Sequence, residues 1–314
     1  MKQKKSIETN PVAKQLNLLE RKWLTHLNKI ARVLVDSFNA WLDHRGASKG
    51  AALAFYTLFS LTPILILAIA VAGYFFGNEA AQGQIIYQIQ GLVGHNGAQA
   101  IQALLAAARD PSASLMATII ATILLVVGAT SVFTELKASL DEIWGTQKPT
   151  QSVISVLLKT RLLSFGIVLT LSFLLLISLV VSAVLSVLQH YVGGIWSSSA
   201  MLFASLSWVV SFSVITCIFA VINKMLPDAP ISWPDVLIGS LFTAGLFVLG
   251  KYLIGLYLGN SAVASSFGAA GSIVALLLWV YYSAQIFFFG AEFTRQYALT
   301  FGSLQDKGEN ISIR

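Results

Sequence analysis

Hydrolysis of a phosphate ester or a nucleic acid needs carboxylates or histidines gathered so that they hold one or two metal ions. The densest acidic set in this chain is Glu135, Asp141 and Glu142, within SVFTELKASLDEIWG. Spacings of six and seven residues let two of the three share a helix face. Acidic residues on a helix that meets water are ordinarily only solvated, however. No His-x-Asp or Asp-x-Asp pair and no basic groove studded with aromatics accompanies them. The four histidines, His26, His44, His95 and His190, are scattered without ligand spacing, and the single cysteine, Cys217, lies inside an apolar run. The residues favour neither an enzyme nor a nucleic-acid partner, and no cofactor or metal is expected.

Lys251 offers a different chemistry, because it interrupts an otherwise apolar stretch from Val236 to Leu258. Charged groups at membrane depth are costly and tend to serve function. With Val236 at one boundary, Lys251 lies about 22 Å into the hydrocarbon at about 1.5 Å per residue. Two readings stand: its stem snorkels outward to the interface, or it faces a cavity and meets an anionic headgroup or a carboxylate.

The elements that position these residues follow from hydropathy. Of 314 residues 56% are hydrophobic and only 11% charged, the composition of an integral membrane protein. The governing stretch is Gly50 to Gly77, which holds no Asp, Glu, Lys or Arg. As a helix it would be roughly 40 Å long, enough to span with tilt. Pro63 near its middle removes a backbone donor, and Ser60 and Thr62 are placed to take up the freed group. A kink is expected there, either for packing alone or as a hinge beside a cavity.

The fold class expected is all-α, a polytopic membrane protein with six transmembrane helices near 50–77, 113–130, 162–188, 200–222, 236–258 and 272–290. Residues 1–49 form a tail with an amphipathic helix from Pro11, on which Leu16, Leu19, Trp23, Leu27, Ile30, Leu34, Phe38 and Trp41 recur at helical spacing among lysines and arginines. That helix suits either the headgroups of the membrane interface or the protein's own loops. Nothing between Met1 and Lys49 has the apolar core of a signal peptide. Residues 78–112 carry two helical patterns separated by Gly94-His95-Asn96-Gly97, read as a helical hairpin on the outer face. The second span is expected to continue as a helix to a stop at Gly145. Gly259 to Gly271 is small and uncharged, either an outer loop or a re-entrant segment. Residues 297–314 form a polar tail, loose from Gly302.

Charge supports this topology. Ten of the twenty basic residues precede position 50; the later inside segments hold four, one and three, and the outside segments hold Arg109 alone. By the positive-inside rule both termini are expected in the cytoplasm. The net charge of +6 is then a topology signal at an anionic leaflet.

Four blocks carry a family resemblance: KGAALAFYTLFSLTPILILAIAVAGYFFG, FTELKASLDEIWG, NKMLPD before SWPDVLIGSLFTAGLFVLGKYLIGLY, and GAAGSIVALLLWVYYSAQIFFFGAEFT. They resemble the YihY/BrkB family of bacterial inner-membrane proteins. Phe267 stands where that family often has tyrosine. The resemblance implies a place more than a chemistry: members have carried the label ribonuclease BN, a name now regarded as misassigned, and others are linked to virulence or serum resistance.

Function is therefore weighed between classes. Transport or flipping of an amphipathic anion, such as a phospholipid or a lipid A precursor, is the economical reading, with Lys251, Pro63, Tyr56, Glu135, Glu292, Gly268 and Gly271 as candidates for the substrate path or gate. No GxxxxGK[ST] loop is present to supply ATP energy. An envelope scaffold, working with a protein partner or a second copy of the chain, uses the same residues without a cavity. A ribonuclease is the third and weakest class.

Overall fold

A computed structural model describes residues 11–108, 131–146, 199–260 and 271–305. Within them the regular structure is helical: α1 (Pro11–Asp43), α2 (Gly46–Phe76), α3 (Asn78–Ala108), α4 (131–143), α5 (Ser199–Met225), α6 (Trp233–Asn260) and α7 (Gly271–Thr300). The expected spans 113–130 and 162–188 and the segment 261–270 lie outside the described residues.

The organising helix is α7, which packs against α1, α2, α3 and α6. It runs antiparallel to α6, because Phe242 stacks on Phe293 while Gly250 abuts Tyr282. Its aromatic run is fixed by the same contacts: Phe287 stacks on Phe219 of α5 at 6.0 Å, and Trp279 meets Phe247 of α6 edge-on. Two apolar clusters result. One joins Leu65 and Ile69 of α2 to Ile86, Ile101 and Leu105 of α3 and Leu276 of α7. The other lies at the far end of α7, where Leu136, Leu140 and Ile143 of α4 meet Leu226, Val236, Phe288 and Ala291.

The turn between α1 and α2 is only His44 and Arg45, with Arg45 in the left-handed region at φ 55. From there α2 is helical on both sides of Pro63. It ends at Gly77, whose φ of 85 admits glycine without strain, and α3 starts at the next residue. The stop at Gly145 takes the expected form. At φ 62 it donates to the carbonyl of Glu142 while Thr146 donates to that of Asp141, the paired bonds of a Schellman cap.

Three expectations need correction. Residues 78–108 form one helix of 31 residues, not a hairpin. The break residues cost up to about 1 kcal/mol each in a helix interior, but Ile86 before them and Ala100, Ile101 and Leu105 after them bury in one cluster, which holds both halves to a single helix. The last helix continues to Thr300, ten residues past the expected end of the span at Gly290 and into the tail expected from residue 297. Ser303, in the segment expected to be loose, is fixed by Asp235 at the start of α6, whose carboxylate accepts from its backbone N–H at 2.9 Å and its hydroxyl at 2.6 Å.

One side of α1 packs on the bundle and another is left uncovered by the described residues. Val33 and Ser37 are buried on the side that packs against α7, while Leu27, Ile30, Leu34, Phe38 and Leu42 are exposed. At about 100° per residue, the buried pair and the exposed five are adjacent sectors of one apolar arc, and Arg32, Asp36 and Asn39 occupy the opposite side.

Candidate functional site

The charged residues of the expected motifs converge at the end of the bundle where α1 turns into α2 and α5 turns into α6. On α4, Lys137 and Asp141 are one helical turn apart and pair at 3.0 Å. The Lys137 ammonium also reaches Asp228 at 2.8 Å and the carbonyl of Leu226 at 3.2 Å. Asp141 in turn accepts from the backbone N–H of Asp228 at 2.9 Å. Burial works against the ammonium, but the hydrogen bonds to Asp228 and Asp141 outweigh it and hold Lys137 above the ordinary lysine range. The NKMLPD block is thereby tied to the SLDEIWG block, and Lys224 closes its own turn by donating to the carbonyl of Ile231.

Beside this network lies a second one built across the length of the chain. Lys49, in the first turns of α2, pairs with Glu142 of α4 at 3.1 Å and donates to the carbonyl of His44 at 2.6 Å. His44 Nδ1 is 2.5 Å from Glu292 Oε1 on α7. The Glu292 side chain is 1% exposed and that of His44 28%, so the pair has one member against water and one inside. Among the described residues Glu292 Oε2 has no hydrogen-bond partner. A buried polar atom left unpaired costs about 1–3 kcal/mol, more when charged, so the carboxyl is a poor device for stability alone.

The other predicted positions do not join it. Glu135 stands on α4 partly exposed, two residues and so about 200° around the helix from Lys137, on the side away from that network. Tyr56 is half-buried in α2 with its ring edge-on to Phe55. Pro63 lies in mid-α2, Gly271 is buried at the start of α7, and Gly268 lies outside the described residues. Lys251 is half-buried in α6, its ammonium 5.9 Å from the centre of the Tyr252 ring. It does not meet Glu292. The antiparallel register sets Glu292 opposite residue 241, about 15 Å along the axis from Lys251 at 1.5 Å per residue. Among the described residues no three of His, Cys, Asp and Glu come together to hold a metal ion.

Sequence reasoning missed His44 and Lys49 because their partners are 248 and 93 positions away, beyond any local spacing. The Lys137–Asp141 pair had a visible signal in its i,i+4 separation.

Helices of 27 to 31 residues with exposed leucines and aromatics, and charge drawn to one end, define a polytopic helical membrane protein. Three described stretches, Trp208–Met225, Trp233–Tyr257 and Ile273–Thr300, are long and apolar enough to cross a bilayer. The chain belongs to the family described as Virulence factor BrkB, which matches residues 37–310. Similar proteins include UPF0761 membrane proteins of Acinetobacter baylyi, at 23% identity over 91% of this chain, and of Alcanivorax borkumensis, at 24% over 84%. Another from Verminephrobacter eiseniae is 28% identical over 84%. The matches cover 65%, 59% and 61% of those relatives, so the chain spans under two thirds of their length. No solved structure matches it.

Proposed function

We propose that the protein moves an amphipathic anion, such as a phospholipid or a lipid A precursor, across the bacterial inner membrane, with both termini cytoplasmic. The observation that carries this reading is the setting of Lys251. A lysine in a span is disfavoured, by about 2.5–3.5 kcal/mol at the centre and less toward the boundary, yet this one, about 22 Å into a core of about 30 Å, stands half-buried among Leu249, Tyr252, Leu253 and Leu256, all exposed on the surface of α6 that lipid would cover. A cation at the margin of a lipid-facing surface attracts the headgroup of a lipid crossing there. Gly250 beside it brings α6 against Tyr282 and Ile286 of α7, which fixes the backbone that presents the charge.

Purified protein in liposomes carrying labelled anionic phospholipid tests this. Wild type should scramble the lipid above the protein-free rate, Lys251→Ala should lose the activity, and Lys251→Arg should keep part of it because the charge survives. Equal rates for wild type and Lys251→Ala would remove Lys251 from the mechanism. An absence of scrambling by folded wild type would favour the second reading, an envelope scaffold, for which the uncovered stripe from Leu27 to Leu42 on α1 is the supporting observation.

A further inference from the structure

The face of α7 that closes on α4 and on the α5–α6 turn carries an arginine. Phe288, Ala291 and Ala298 on that face are fully or almost fully buried and pack in one cluster with Leu136, Leu140, Leu226 and Val236. Arg295 lies between the two alanines, four residues after one and three before the other, so the helix puts it on the same face. It is half-buried where they are closed off. An arginine turned outward to water needs no explanation, but one on the packed face of a helix does.

The other half-buried cations at this end of the bundle have protein partners. Lys137 meets Asp141 and Asp228, Lys49 meets Glu142, and Lys224 donates to the carbonyl of Ile231. Arg295 forms no ion pair or side-chain hydrogen bond among the described residues. Its charge is felt at Glu292, one turn back on α7, but that carboxyl is turned to His44 at the α1–α2 corner. A guanidinium presents its N–H donors in a planar fork that matches two oxygens of one oxyanion. Counted from Ile273, where the apolar run of α7 begins, Arg295 stands about 33 Å along the helix at about 1.5 Å per residue. A hydrocarbon core is about 30 Å thick, so this is the level of the lipid phosphates.

We infer that Arg295 is the seat of a phosphate oxyanion at the inner boundary of the membrane, on the side of α7 that faces α4 and the α5–α6 turn. Two sources offer that chemistry, the headgroup of a phospholipid and phosphate dissolved in the cytoplasm. The lipid is the better match, because a bilayer already holds phosphates at this depth and its chains gain from the apolar side chains around the seat, whereas a free ion gains nothing from them. The use of the site rests on the transport reading, in which an anionic headgroup waits here before it reaches Lys251, about 20 Å outward in the α6–α7 register. The binding itself does not need that reading.

Equilibrium binding, not transport, is the readout. Purified protein in detergent is titrated in a calorimeter with short-chain phosphatidylglycerol, with glycerol phosphate and with inorganic phosphate. The lipid should bind folded wild type, and Arg295→Gln should weaken it about tenfold or more, as loss of a charge-assisted pair implies. Arg295→Lys should recover only part, since an ammonium lacks the fork. Much weaker binding of the two soluble phosphates, with the same dependence on Arg295, assigns the seat to a headgroup; binding as tight as that of the lipid assigns it to a dissolved phosphate. Wild type supplies a second measurement in case Arg295→Gln does not fold: the lipid should slow modification of Arg295 by phenylglyoxal, while Arg32, exposed on α1, reacts as before. Equal affinity in wild type and a folded Arg295→Gln protein, no binding of any of the three probes, or no protection of Arg295 overturns the inference. A failure of scrambling leaves each of these results as it stands.

Discussion

Thr294 of α7 occupies the space that a Cβ on Gly239 of α6 would need, and one turn away the relation is reversed, with Thr243 of α6 set into Gly290 of α7. Each threonine hydroxyl donates at 2.7 Å to the carbonyl of the glycine four residues before it on its own helix. Both threonines are fully buried. The polar atoms are thus satisfied within each helix, and what joins the helices is close approach of backbone, the device expected where lipid supplies no hydrophobic drive.

That interlock reverses an ordinary expectation. By propensity alone Gly239→Ala would stabilise α6 by about 1 kcal/mol. Here it should lower the thermal midpoint in detergent, as overpacking of about 1–3 kcal/mol outweighs the gain. Combining it with Thr294→Ala should recover part of the loss. Strict additivity in the double-mutant cycle would show that the two positions do not touch.

The Lys137 network should stabilise the α4 end at neutral pH and fail only in alkali. Lys137 is held above the ordinary lysine value by Asp228 and Asp141 after burial has opposed it. Its contribution is therefore complete below an unfolded value of about 10.4 and is lost as pH rises through its higher folded value. Lys137→Met should lower the thermal midpoint at pH 7.5 and remove most of the extra loss that wild type shows above pH 10.5. A parallel decline of both proteins through that range would place the alkaline loss elsewhere.

The Gly77 turn and the α5–α6 turn should face opposite compartments. Cysteine at Glu79, exposed just after the Gly77 turn, should react with an impermeant reagent from the periplasm, and cysteine at Pro230, in the exposed α5–α6 turn, only after permeabilisation. Labelling of both from one side would break the six-span topology.

For α1 the informative quantity is what covers Leu34 and Phe38. A fluorophore at either position should be quenched by a nitroxide lipid more strongly than by aqueous iodide, and one at Asp36 the other way round. Iodide quenching at all three would mean that this face awaits a protein and not the bilayer.

Much of the scaffold was legible because it rests on local pattern. The helix that runs from Gly46 to Phe76, the helix from Pro11 and the stop at Gly145 depend on apolar pattern and a glycine at a left-handed position, all properties of neighbouring residues. Where local cues misled, a distant partner was the reason. Gly94 to Gly97 read as a break because the burial of Ile101 and Leu105 beside Leu65 and Leu276 is invisible in residues 91–108. Lys251 was conspicuous because it is charged amid leucines, whereas His44 was discounted for lack of a neighbour. Its neighbour is Glu292.

The position of α7 in the chain has a biosynthetic consequence. A ribosome delivers α1, α2, α3 and α6 to the membrane before it delivers the helix on which all four pack, and the contact that fastens residue 44 waits for residue 292. Until then the earlier helices hold glycine notches and half-buried charges with nothing to fill or balance them. Such an order favours slow, end-weighted assembly and leaves intermediates open to membrane quality control. A stop codon ahead of Gly271 would then produce not a smaller bundle but a set of inserted helices without their common seat.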